Sequence, residues 1–190
     1  MRLRTKLERG IALHVLFVCT GNICRSPTAE RLAVMYGNRF QIPGFKASSA
    51  GTRAMIAHPI HQHAASVLKS LGGDPSGFAA RQLTQRITAD ADLILAMTTG
   101  HRDNVLELAP HRLNRTFTLS EASRLVSQCH AQTVAELVAL RPQLALDQRP
   151  DIPDPIGQSA EVFAAVGSQI ADLLAPVLEF CRRSSTSAVD

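Results

Sequence analysis

Cys19 and Arg25 are separated by five residues in the run CTGNICR, enough for a loop to curl around one tetrahedral oxyanion with a thiol beneath it and a guanidinium beside it. Positive charge and helix N-termini favour the thiolate, which is the nucleophilic form of cysteine. Arginine grips two phosphate oxygens in a fork geometry that lysine cannot reproduce. The implied chemistry is nucleophilic attack on a phosphoryl group. A cysteine alone at the end of a strand is more often a small, inert core residue; the company of the arginine and the loop points to chemistry.

Those residues need a strand before them and a helix after them. Residues 14–18, HVLFV, are branched and aromatic enough for a strand buried on both faces of a parallel sheet. Ser26 and Pro27 then mark a helix start, with the serine as cap and the proline at the first helical position, where its missing N–H costs nothing. A loop running from a strand into a helix N-terminus gathers backbone N–H groups at one spot and, with the helix dipole, attracts an anion.

As a block, VCTGNICRSPTAE resembles the phosphate loop of the low-molecular-weight protein tyrosine phosphatases. SSAGT at 48–52, ARQLT at 80–84, ADLILAM at 91–97 and IPDPIG at 152–157 follow in the order of that family, so the resemblance covers most of residues 12–180. It implies one α/β domain, a three-layer doubly wound fold with a four-stranded parallel sheet and helices on both faces. It also implies hydrolysis through a phosphocysteine on Cys19, without metal or other cofactor. Thr20, Gly21, Asn22, Ile23, Cys24 and Ser26 then belong to the phosphate-binding loop, with Asn22 holding its shape and Ser26 hydrogen-bonding Cys19.

Such a reaction needs a proton donor for the leaving oxygen, and one loop offers Asp147, Asp151 and Asp154. Asp154 is preferred. Pro153 and Pro155 fix the backbone around it, Gly157 lets the chain turn afterwards, and the Asp-Pro pair matches the place of the acid in the family. Asp147 and Asp151 read as solvated loop carboxylates. Cys24 is expected to be a redox partner able to form a reversible disulfide with Cys19.

Met55 and Ile156 are expected to wall the substrate cleft, which is less aromatic than in relatives. Phe78 stands where relatives commonly have a histidine supporting the loop asparagine. Phosphoarginine phosphatases resemble CTGNTCRS, so Ile23 favours phosphotyrosine on proteins as the substrate. Arsenate reduction is the nearest rival, but no cysteine lies within residues 75–100 to relay electrons. A phosphate-binding protein without turnover is the alternative from another class. His58, His61 and His63 read as surface histidines and not as a metal site.

The 190 residues suit one domain with a substantial core, and 45% apolar content fits a globular chain. A formal charge of +4 comes from 17 Arg and 3 Lys spread along the sequence, without the basic run or interleaved aromatics that track nucleic acid. A mild attraction for phosphorylated substrates is the expectation. Cys19, Cys24, Cys129 and Cys181 show no disulfide framework or zinc spacing, and a nucleophilic thiol suits a reducing cytoplasm. The basic-then-apolar start resembles a signal sequence, but cleavage there would remove the first strand, so residues 1–10 are expected to be a flexible extension. The chain is expected to act as a monomer away from membranes, since no apolar run approaches a membrane span.

Further strands are expected at 45–50, 92–97 and 116–119, and helices at 27–37, 59–71, 102–108, 121–140 and 159–181, the last kinked at Pro176. The domain spans 11–183, with 121–150 as a longer helix and loop insertion whose apolar stripe packs on the core. Residues 184–190 are expected to be a flexible tail.

Overall fold

A computed structural model describes residues 13–145 and 150–186. Residues 1–10, Asp147 and residues 187–190 lie outside that description. The central strand β1 (His14–Cys19) is flanked by β2 (Lys46–Gly51) and β3 (Leu93–Ala96), with β4 (Thr116–Thr118) beyond β3. All pairings are parallel, from His14 opposite Lys46 to Cys19 opposite Gly51 on one side and Val15 opposite Leu93 on the other. The order β2-β1-β3-β4 places a reversal of winding at β1. Ligands of such sheets bind beyond the carboxyl end of the strand at that reversal, and β1 ends on Cys19.

Strand alternation divides the core into two layers. Val15, Phe17 and Cys19 join the larger layer with Leu32 of α1 (Arg25–Arg39), Leu68 of α2 (Gln62–Ser70), Leu125 of α5 (Leu119–Ser127) and Leu174 of α7 (Ala160–Thr186). Leu16 and Val18 face the opposite way, against Ile87 of α3 (Gln85–Asp90) and Val105 of α4 (Thr99–Leu108). This is the doubly wound fold expected from the sequence, with helices on both faces.

Several boundaries differ. The helix expected over 121–140 is two, α5 and α6 (Val134–Leu140). Thr118 and Glu121 form a reciprocal capping box at the start of α5, His130 turns left-handed at φ 56°, and Thr133 caps α6. Periodicity hid the break because Leu125, Val126 and Leu137 enter the same core from both helices. Helix α2 starts at Gln62 because His61 caps it, and α4 starts at Thr99 because Thr98 does. Helix α3 and a 3-10 turn at Pro110–Arg115 were not anticipated.

Helix α7 continues through Pro176 to Thr186, so Ser184 and Ser185, expected in a tail, donate to the carbonyls of Phe180 and Cys181. Contrary to expectation, α7 is long and apolar enough to cross a membrane by length and composition. Here Phe163, Val166, Ile170 and Leu174 instead pack its apolar side against the domain. All four cysteines are free.

Candidate active site

The loop between β1 and α1 carries its acceptors outward. The carbonyls of Cys19, Thr20, Gly21 and Ile23 receive the N–H groups of Thr52, Arg53, Met55 and His61, and that of Cys24 receives Thr28. Among the described residues, the N–H groups of residues 20–24 donate to no protein acceptor. Buried donors left in this way are rare, and a row of them at a helix N-terminus is a cradle for an oxyanion. Gly51, at the end of β2, makes the close approach possible, since a Cβ there would run into the Thr20 carbonyl oxygen.

Helix α1 begins at Arg25 with Cys24 as its cap residue, not at Pro27 with Ser26 as cap. The Ser26 hydroxyl is engaged elsewhere. It accepts from Asn22 Nδ2 at 2.9 Å, which leaves its own proton for Cys19 Sγ, also 2.9 Å away. The second Nδ2 proton of Asn22 goes to Ser49 Oγ at 2.7 Å, Ser49 donates to Glu30 Oε2 at 2.6 Å, and Asn22 Oδ1 accepts the Arg81 N–H at 2.9 Å. Asn22 sits at φ 56°, a left-handed conformation that asparagine tolerates better than most residues. Its side chain is fully buried and uses both amide protons and its oxygen, so the loop's sharpest residue is pinned by three partners. Burial raises the pKa of Glu30, opposed by the bond from Ser49. Phe78, in place of a supporting histidine, lies instead beneath the Arg31 guanidinium, 5.5 Å from the ring centre.

Arg25 is 4% exposed. Its Nη1 donates to the Ile152 carbonyl at 3.0 Å and its Nη2 to Asp154 Oδ2 at 2.5 Å, while Nε has no partner among the described residues. The Asp154 side chain is about half exposed and also accepts the Ile156 N–H. Ile152 is held by donating its N–H to the Met97 carbonyl at the end of β3. Asp151 is not a merely solvated carboxylate: its Oδ1 accepts the Thr99 N–H at 2.7 Å and the Thr99 hydroxyl at 3.1 Å, capping α4.

Cys24 is buried in the same loop, and its thiol is pushed up to about 12, first by burial and then by the charges of Cys19 and Asp154, with Arg25 opposing. Met55 and Ile156 are both exposed, and Met55 stands by Gly21 and Ile23. His61 caps α2 and stacks on Phe163, with His63 tilted alongside. Among the described residues there is no cluster of three metal-ligating side chains.

Sequence reasoning missed Ser49, Glu30 and His101. Glu30 closes the run CTGNICRSPTAE and Ser49 lies in SSAGT, so both were inside quoted motifs. His101 lay outside them. Its buried ring reaches Thr20 Oγ1 with Nε2 at 2.8 Å and Thr98 Oγ1 with Nδ1 at 2.7 Å.

Comparison with known proteins agrees with this geometry. Residues 14–136 match the model of the low molecular weight phosphotyrosine protein phosphatases. The chain is 40% identical over 107 residues to the low molecular weight protein-tyrosine-phosphatase Etp of Escherichia coli, covering 56% of this chain and 69% of that one. It is 33% identical over 161 residues to a protein-arginine-phosphatase of Geobacillus stearothermophilus, covering 85% and 90%. The solved low molecular weight protein tyrosine phosphatase of T. tengcongensis superposes with a TM-score of 0.72 at 30% identity, over 88% of this chain and 99% of that one.

Proposed function

Because the chain belongs to the low molecular weight phosphotyrosine protein phosphatase family, we propose that it hydrolyses phosphotyrosine on proteins through a phosphocysteine on Cys19. The observation that carries this reading is the set of unmatched N–H groups at residues 20–24 beside the Cys19 thiol.

The Cys19 thiolate attacks phosphorus in line while the loop N–H groups and Arg25 take up charge on the equatorial oxygens. The phosphorus–oxygen bond to the phenol breaks, and Asp154, in its acid form, protonates the departing oxygen. Asp154 then takes a proton from the water that attacks the phosphocysteine, and Cys19 leaves as thiolate. The Ser26 hydroxyl at 2.9 Å stabilises that thiolate. Entry of a phosphoryl dianion competes with Asp154 for Arg25 Nη2, which frees the carboxyl for the leaving group.

Phosphoarginine is the second reading, favoured by the length of the match to the arginine phosphatase. Ile23 favours phosphotyrosine over it: an isoleucine offers a guanidinium no acceptor. Met55 and Ile156 then wall the ring. The reduced cysteines and thiolate chemistry suit the cytoplasm. Assay of the full chain on para-nitrophenyl phosphate and on phosphotyrosine and phosphoarginine peptides tests both. Wild-type protein as inert as Cys19→Ser overturns the enzyme reading; preference for phosphoarginine overturns the substrate.

A further inference from the structure

We propose that His101 is a positioning residue that holds the phosphate loop in register with the acid loop, through an imidazole that bridges Thr20 and Thr98. The kinetic consequences rest on the phosphatase reading; the bridge does not.

The ring bridges two threonines. Thr98 Oγ1 accepts the His101 backbone N–H at 3.1 Å as the cap of α4 and lies 2.7 Å from His101 Nδ1. His101 Nε2 lies 2.8 Å from Thr20 Oγ1. A neutral imidazole has one N–H and one bare nitrogen, so in either tautomer one threonine donates to the ring and the other accepts from it.

The charged groups facing the ring are Arg25, Asp154 and Asp151. Burial, reinforced by Arg25 and opposed by the two carboxylates, holds the imidazole down at about 4, so it stays neutral near neutral pH.

What the strut joins is specific. Thr20 directly follows the nucleophile and begins the loop. On its other side the first turn of α4 is held by Asp151 through the Thr99 N–H, three residues before Asp154. The first turn of α4 thus fixes Thr20 on one side and the start of the acid loop on the other. A shift of a fraction of an ångström in such a frame slows chemistry more than it weakens binding.

The test uses the full chain with His101→Phe, Thr20→Val, the double variant and His101→Gln, whose amide can still bond Thr20. For para-nitrophenyl phosphate, His101→Phe and Thr20→Val each lower kcat about tenfold with KM changed less than about twofold. The double variant is no worse than either single one, and His101→Gln recovers most of the loss. Independently of turnover, nitrogen-15 NMR of the wild type near neutral pH shows a neutral His101 ring whose shifts change in Thr20→Val. Full kcat in His101→Phe, multiplied effects in the double variant, no recovery by His101→Gln, or ring shifts unmoved by Thr20→Val overturns the proposal. Inert wild-type protein in which Thr20→Val still moves the ring shifts would count against the phosphatase reading and leave the strut standing.

Discussion

Arg25 Nη2 donates to Asp154 Oδ2 at 2.5 Å, joining the loop's cation to a carboxylate 129 residues further along the chain. Two groups proposed to act on different oxygens of one phosphate ester hold each other in the protein. Replacing the acid therefore separates two properties. Asp154→Asn removes the proton donor and is expected to lower kcat by about 10²–10⁴. It also removes the competitor for Arg25, so inhibition by inorganic phosphate should be equal or tighter. Steady-state kinetics with phosphate as inhibitor checks both, and unchanged turnover would move the acid elsewhere.

Asn22 uses both amide protons and its carbonyl oxygen inside the loop, at φ 56°. Asn22→Ala leaves the Arg81 N–H without its acceptor and places a residue less suited to the left-handed region. A loss of about 2 kcal/mol or more is expected in urea unfolding, with a fall in kcat larger than the rise in KM.

Ile23, close to Gly21 and only 9% exposed, gives the loop a buried apolar side chain. Ile23→Thr supplies a hydroxyl there and is expected to shift the ratio of phosphoarginine to phosphotyrosine hydrolysis upward by about tenfold, which is worth about 1.4 kcal/mol. Paired kcat/KM values on matched peptides measure it; an unmoved ratio would take the substrate choice away from this position.

Cys24 stays a thiol because burial pushes it up to about 12. Peroxide takes Cys19 to a sulfenic acid. Attack by the Cys24 sulfur then forms the disulfide, the Cys24 proton leaving with the displaced hydroxide as water. The scarce Cys24 thiolate makes that closure slow, so peroxide should produce a mixture of Cys19–Cys24 disulfide and Cys19 sulfinate, and Cys24→Ser should lose activity irreversibly and faster. Mass spectrometry that finds sulfinate alone removes the redox role.

His101 makes stability depend on pH. Its folded-state pKa, about 4, lies below the ordinary 6.5, so the unfolded chain binds the extra proton first. Its contribution is complete above pH 6.5 and is lost as pH falls from there toward 4. Urea midpoints across that window should decline in the wild type and decline less in His101→Gln; parallel profiles would refute the assignment.

The strand–loop–helix core was legible because it is written locally: a short apolar run, a glycine, a cysteine and arginine at fixed spacing, a proline near the helix start. The aspartate that lies against Arg25, Asp154, stood out for the same reason, between two prolines. What failed were assignments that a local rule and a tertiary partner contest. Ser26 satisfies every rule for a cap, yet Cys24 takes that place; its hydroxyl serves Cys19, as the family resemblance implied, and Asn22. Asp151 looked like a solvated neighbour of the acid, but it caps a helix 52 residues away in sequence. Ser49 and Glu30 meet only when β2 lies against α1, and no periodicity reports such a meeting. The break between α5 and α6 was invisible because both helices feed the same core.

The anchoring of the acid loop has one more consequence. Asp154 owes its place to Ile152 on the end of β3, to Arg25 and to Asp151 on α4, all of which act at or after residue 151 on its own segment. The stretch from the end of α5 to residue 150 sets none of these bonds. Its length is therefore constrained by the packing of the buried Ala131, Leu137 and Leu144, and not by the place of Asp154.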